Sequence, residues 1–477
     1  MRKCFSLILC LLDFVKIKGG TMQSIKNITT TVVAILCLIS LIGAQEKESK
    51  IGLIPIYEKT FAASVVDVIF DTVTVSIEEA KAMGWKEAAI TEKDSVNREI
   101  AISYPKVIIV SHGRRLGYYA PAVKRSSGSV TEIRFYDRKG KLLNVVEIGK
   151  FENDEWDQIH ISPNCKYILI SHIPSETNSG YTGGILYDFT GKKIREIKGP
   201  TPLAISDEGY MIAANLDWQV PPEPGGSFYI YNSEGRLIQT IENPSKEKTA
   251  PLFAKYTEDG ENAVLVFKAT TFPPTVIYYI KKTGEIIWKK EDDEYRFAAF
   301  EEEMDINADG IFCIMGFAAS FNKSRPEVFF IDLQGSLKWK IPLEIRGNMI
   351  VKIADNGLKA YIISSMGYLW CIDIPQGKIL WKNKQPWARE PGVKRRWWEE
   401  PIFSELQIIN DTLYLIEKEG SDWLSSTLLI VDGNNGGLLR KLEYPSEKIT
   451  FAQTKRGIGI INNTKERVSI FEKEALK

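Results

Sequence analysis

The stretch Cys371-Ile-Asp373-Ile-Pro-Gln-Gly377-Lys-Ile-Leu-Trp381 sets the architecture. Its first half is a strand ending in an aspartate. A turn closed by a glycine follows, and a second strand carries a tryptophan. Aspartate and asparagine accept hydrogen bonds from their own backbone in turns, and glycine supplies the positive φ. The same pattern recurs along the chain. Upstream lie Phe330-Ile-Asp332-Leu-Gln-Gly335-Ser-Leu-Lys-Trp339 and Tyr279-Ile-Lys-Lys-Thr-Gly284-Glu-Ile-Ile-Trp288. Further copies without the tryptophan end in Gly140, Gly191 and Gly235, and a looser copy, Ile430 to Leu439, follows downstream.

Between these copies sits a second turn with the same period, flanked by apolar strands. Its members include Ser206-Asp-Glu-Gly209, Thr257-Glu-Asp-Gly260, Asn307-Ala-Asp-Gly310, Ala354-Asp-Asn-Gly357 and Thr454-Lys-Arg-Gly457. Ser103-Tyr-Pro-Lys106 reads as the first of them. Each unit is therefore strand A, tight turn, strand B, longer loop, strand C, tight turn, strand D. Successive C–D glycines are about 42–60 residues apart, the spacing of propeller blades. The expected fold is all-β: a single β-propeller of four-stranded antiparallel blades. Eight blades are expected, with seven as the alternative if one weak unit is an insertion. The last unit ends at Val468–Phe471 without a fourth strand, and the apolar segment Val65–Ser76 has no partner of its own. That segment is expected to close the ring as strand D of the last blade, removing a sheet edge. Ile77 to Ala88 reads as a short helix on the rim.

These repeats resemble the bacterial quinoprotein-type (PQQ-like) and WD40-like β-propeller families. The resemblance spans about residues 98–475 and rests on the turns and tryptophans just quoted. It implies the fold; its nearest functional precedent is the family of envelope scaffold propellers with quinoprotein-like blades.

The chain has 477 residues, with 61 basic and 61 acidic side chains and 44% hydrophobic residues. That composition excludes disorder, and the charge balance argues against a nucleic-acid coat. Residues 1–45 read as a signal peptide: Lys26, the apolar run Val32–Ala44, then polar Gln45-Glu46-Lys47. Met22 precedes a complete leader of its own and is the expected start. The run is shorter than a comfortable transmembrane helix. Leu36 before Cys37 is not the small residue that lipid attachment requires. Secretion or a periplasmic location is expected, with membrane contact only through an uncleaved leader. Residues 46–97 form an N-terminal segment and residues 98–477 the propeller. Cys165, Cys313 and Cys371 remain after the leader and read as buried free thiols.

The A–B and C–D turns share one face. The longer B–C and D–A loops share the other, and long loops on a rigid scaffold are where recognition concentrates. The longest of them carries Trp387, Arg389, Arg395, Arg396, Trp397 and Trp398. Tryptophan and arginine dominate interface hot spots, and tryptophan faces also stack on sugars. Trp218 lies on another of these loops. Alternatively, Trp397 and Trp398 plug the central channel. His112 and His172 end equivalent strands of neighbouring blades and join the candidate binding set; ordinary hydrogen-bonded strand ends are the plainer reading. Asp305, Asn307 and Asp309 alternate like the start of a calcium loop, making calcium the one cofactor for which residues offer themselves. Position twelve of that loop is Gly316 rather than glutamate, and the residues also serve as an ordinary A–B turn. No hydrolase, Walker or dinucleotide motif is present.

The expected function is an exported, non-enzymatic propeller that binds an envelope or extracellular protein, or a polysaccharide, through its long-loop face. The second reading is a secreted carbohydrate-active or quinoprotein-like redox enzyme on the same fold.

Overall fold

The computed structural model describes most of residues 55–471. Residues 1–54, 472–477 and a set of connecting stretches, including 84–97, 112–122, 174–182, 216–224, 319–326 and 385–401, lie outside the described residues.

The fold is a β-propeller of four-stranded antiparallel blades. In seven sheets the four main strands follow one another along the chain, and we number them as blades one to seven. Blade one is Ser64–Ser76, Glu99–Ser111, Val130–Tyr136 and Leu142–Lys150. Blades two to seven begin at Trp156, Thr201, Thr249, Met304, Met349 and Ile402. Two blades carry an extra short strand: Val123–Lys124 pairs with Trp156–Ile161, and Tyr295–Phe297 pairs with Phe312–Ala318. A further sheet is composite. Ile449–Ala452, Ile458–Asn462 and Arg467–Phe471 come from the end of the chain, and the fourth strand, Tyr57–Thr60, comes from its N-terminal part.

Three expectations are corrected here. The blades number seven, the alternative count, where eight were expected. Val65–Ser76 does not pair with the last strand. It forms the first strand of blade one, in register with Glu99–Ser111 from Ser64↔Ser111 to Ser76↔Glu99. Its 13 residues match the 13 of that partner. The short strand Tyr57–Thr60 pairs with Arg467–Phe471 instead. Ser103–Lys106 is not a turn but lies inside the strand Glu99–Ser111. Pro105 sits there at a register shift opposite Ile69 and Phe70, where a residue without an N–H is tolerated. The connection between these two strands holds the helix Ile77–Ala82, capped by Ser76 accepting from the Glu79 N–H. Residues 84–88 of the expected Ile77–Ala88 helix lie outside the described residues.

Burial falls from the inner strands to the outer one. In blade six the B and C strands are almost wholly buried, whereas strand D, Lys378–Lys384, alternates between exposed and half-buried. The core lies between blades. Phe228 and Ile230 of blade three pack with Leu265, Phe267 and Tyr278 of blade four. Val328 and Phe330 of blade five pack with Val351, Trp370 and Ile372 of blade six. Phe70 and Ile102 of blade one pack with Ile461 and Val468 of the composite sheet. Cys371 is a buried free thiol, and Cys165 is half-buried in a turn at φ +55°.

Candidate functional site

Most of the candidate recognition residues, namely Trp218, Trp387, Arg389, Arg395, Arg396, Trp397, Trp398 and His112, lie outside the described residues. So do Asn307 and Asp309. His172 is placed by its backbone, paired with Asp157 and Gly183 near the end of strand B in blade two. Residue 112 follows directly on the corresponding strand of blade one, which ends at Ser111. Among the described residues, no group of three or more His, Cys, Asp or Glu side chains could hold a metal ion.

Asp305 is described, and its oxygens are taken by protein donors. Oδ2 accepts the Ile353 N–H at 2.8 Å. Oδ1 faces the Lys255 ammonium at 3.3 Å and the Lys352 ammonium at 3.9 Å. Burial works against its charge, but Lys352, Lys255 and the Ile353 amide outweigh burial and hold the carboxyl below the usual carboxylate range. Asp305 thus ties together the A strands of blades four, five and six. Two ammonium groups beside it do not suit a divalent cation. Glu405 has a related role in blade seven, accepting the Phe451 N–H of the composite sheet at 2.6 Å. His160 lies on strand A of blade two. Its Nε2 is shut off from solvent without a partner, and burial pushes its pKa down to about 4.

The short-turn face is spent on internal bonding. Asp137 Oδ1 accepts the N–H groups of Lys139 and Lys141. Asn232 does the same for Glu234 and Arg236, and Asp332 for Gln334 and Ser336. The turn glycines of blades two to seven then receive a side chain from the preceding blade. Trp288 Nε1 donates to the Leu333 carbonyl at 2.8 Å, Trp339 Nε1 to Ile374 at 2.7 Å, and Trp381 Nε1 to Gly433 at 2.9 Å. Each indole lies over a turn glycine. A Cβ on Gly335, Gly377 or Gly436 would come within 2.5–2.8 Å of the ring. In the earlier blades the same seat is filled by other residue types, over Gly191 by the Phe135 ring with Asn144 beside it. Asn144 donates to the Gly191 carbonyl at 2.7 Å, Arg195 donates to Ser233 at 2.7 Å, and Gln239 covers Gly284.

Between the composite sheet and blade one lies Lys59, on the strand Tyr57–Thr60. Its ammonium lies over the Tyr136 ring at 5.1 Å and the Phe61 ring at 5.5 Å. A cleft of about 210 Å³ opens beside it, lined by Met83, Tyr104, Pro105, Arg138, Lys139 and Gly140 among others. Burial, followed by the charge of Asp71, pushes the Tyr104 hydroxyl up to about 12, and that hydroxyl donates to Asp71 at 3.4 Å. Sequence reading missed this seam because Tyr-Glu-Lys-Thr carries no periodic signal.

No family model matches the chain, and no curated protein matches it. Solved structures do. The chain is similar to BamB from Moraxella catarrhalis at 9% identity and a TM-score of 0.43, covering 75% of this chain and 99% of that one. It is similar to Kuenenia stuttgartiensis hydrazine synthase at 13% identity and a TM-score of 0.40, covering 73% and 93%. Both likenesses are at the level of fold.

Proposed function

We propose that the protein is an exported β-propeller that binds a partner protein or extracellular polymer through its long-loop face. The observation that carries this reading is the difference between the two faces. On the short-turn face the polar groups of the turns are engaged by their own backbone, and the turn glycines of blades two to seven lie under side chains from the preceding blade. Recognition is left to the opposite loops, whose sequence concentrates Trp387, Arg389, Arg395, Arg396, Trp397 and Trp398, with Trp218, His112 and His172 on neighbouring connections. The composite sheet closes the ring between blade seven and blade one, with Tyr57–Thr60 as its N-terminal strand. Its support is the packing of Phe70 against Ile461 and Val468 on one side and the Glu405–Phe451 and Gln407–Ala452 bonds on the other. Export rests on the apolar run Val32–Ala44; among the described residues no helix is long and apolar enough to cross a membrane.

The test is retention of partners from envelope and secreted extract by wild type and by a folded Trp397→Ala/Trp398→Ala variant. A partner kept by the first and lost by the second is the expected result. Equal retention by both removes the claim of this face.

A further inference from the structure

Two connections meet on the long-loop side of the junction between blades three and four. One joins strands B and C of blade three, Met211–Ala214 and Ser227–Tyr231. The other joins strand D, Leu237–Glu242, to the first strand of blade four, Thr249–Tyr256. Asn243 fastens the one to the other. It is 3% exposed, and Thr249 is wholly buried. Asn243 Nδ2 donates to the Gly225 carbonyl at 2.9 Å and to the Thr249 carbonyl at 2.5 Å. The Thr249 hydroxyl donates back to Asn243 Oδ1 at 2.6 Å. The Gly225 N–H donates to the Thr249 carbonyl at 2.9 Å.

The other end of the B–C connection stands beside this knot. A Cβ on Gly226 would come within 2.9 Å of the Asn215 carbonyl oxygen and 3.1 Å of the Pro251 ring. Asn215 and Gly226 thus form a neck that leans on blade four. Gly225 and Gly226 hold φ of +134° and +75°, which glycine adopts without strain. Residues 216–224, with Trp218 among them, run between Asn215 and Gly225. A buried amide that is bonded on both sides orders the groups it joins, and its loss takes a donor from two carbonyls at once.

We propose that Asn243 is a positioning residue for the long-loop face. It ties the Gly225–Gly226 end of the Trp218 connection to blade four, so that this end is held before a partner arrives. Holding an element in advance lowers the ordering cost of binding. The consequence for partner binding rests on the long-loop reading; the tie itself does not.

The test is hydrogen exchange of the full chain, read by mass spectrometry, in wild type, Asn243→Ala, Thr249→Val and Thr249→Ser. Asn243→Ala should speed exchange by about tenfold in peptides that contain the Gly225 amide, as local opening does, with peptides of blades one and six unchanged. Thr249→Val removes one hydrogen bond of the tie and should speed it by about fivefold, whereas Thr249→Ser keeps the hydroxyl and should restore most of the protection. If Asn243→Ala does not fold, the contrast between the two Thr249 variants decides. Unchanged exchange at Gly225 in folded Asn243→Ala, equal rises in every blade, or equal exchange for Thr249→Val and Thr249→Ser overturns the proposal. Retention from envelope and secreted extract gives the second readout. A partner lost by Trp218→Ala should also be lost by Asn243→Ala, and its retention by Asn243→Ala overturns the positioning role. Retention of every partner by Trp218→Ala counts against Trp218 alone, and the exchange result then decides on the tie.

Discussion

Blades four to six and blades one to three solve the same problem with different chemistry. In the later group a tryptophan four residues after the turn glycine stacks on its own blade, lies over the next blade's glycine and donates one hydrogen bond. Trp288 stacks on Tyr279 at 5.6 Å between centroids, and Trp339 on Phe330 at 5.4 Å. Both are cross-strand pairs, Tyr279↔Trp288 and Phe330↔Trp339, so one side chain serves strand pairing and blade docking together. In the earlier group Asn144 and Arg195 keep the hydrogen bond and lose the aromatic stacking. The geometry of the joint is thus set by the turn, whereas its strength is set by the covering residue.

The sharpest way to break this comparison is to remove one latch from each group. Trp339→Ala should cost about 2–3 kcal/mol, combining lost packing with an orphaned carbonyl. Asn144→Ala should cost about 1 kcal/mol. Denaturant midpoints of the two variants measure the difference, and equal losses would mean that the indole adds nothing beyond its hydrogen bond. The glycines give a second contrast. Gly377→Ala places a methyl group 2.5 Å from the Trp339 ring at φ +61°. Gly140→Ala meets nothing within 4 Å among the described residues, at φ +75°. Backbone strain alone accounts for about 1 kcal/mol at Gly140, and the clash should add to it at Gly377. Equal melting temperatures for these two variants would contradict the covered and open assignments.

Acid sharpens the comparison from another side. The three histidines of the chain all fall in the sequence of blades one and two. His160, whose pKa burial lowers to about 4, is neutral in the folded protein at pH 7. An unfolded histidine takes up its proton near pH 6.5, so the unfolded state gains protons first and stability falls as pH drops from about 6.5 towards 4. Between pH 7 and 5.5 the loss should be about 1 kcal/mol. His160→Leu should flatten that slope, and hydrogen exchange should show blade two loosening before blade five. The carboxyl of Asp305 is depressed, so its contribution holds above the ordinary carboxylate pKa and fades only at lower pH.

The propeller was legible because its signal repeats. Asp373, Gly377 and Trp381 define a unit whose spacing returns through the chain, and the strands and C–D turns fall where that pattern puts them. The pairing of the N-terminal strand was not legible. Tyr57–Thr60 is four residues of mixed character, whereas Val65–Ser76 has the alternation of any good strand and reads equally well in either sheet. Its partner lies beyond the helix Ile77–Ala82, so no hairpin turn announced it. Ser103–Lys106 looked like a turn because proline usually marks one, but here Pro105 sits at a bulge. Trp288, Trp339 and Trp381 stood out as latches because tryptophan is rare and recurs at one position. Asn144, Arg195 and Gln239 did not, since those residue types serve many purposes. At Asp305 the alternating oxygens suggested a cation, and only the fold brings Lys255 and Lys352 to the same carboxylate.

The central claim is that partners meet the long loops rather than the latched turns. The most direct measurement is photo-crosslinking in the producing cell, with a photoreactive residue placed at Trp398 in one strain and at Gln334, in the turn of blade five, in another. Adducts from position 398 and none from position 334 are predicted. Adducts from position 334 with none from position 398 would contradict the account.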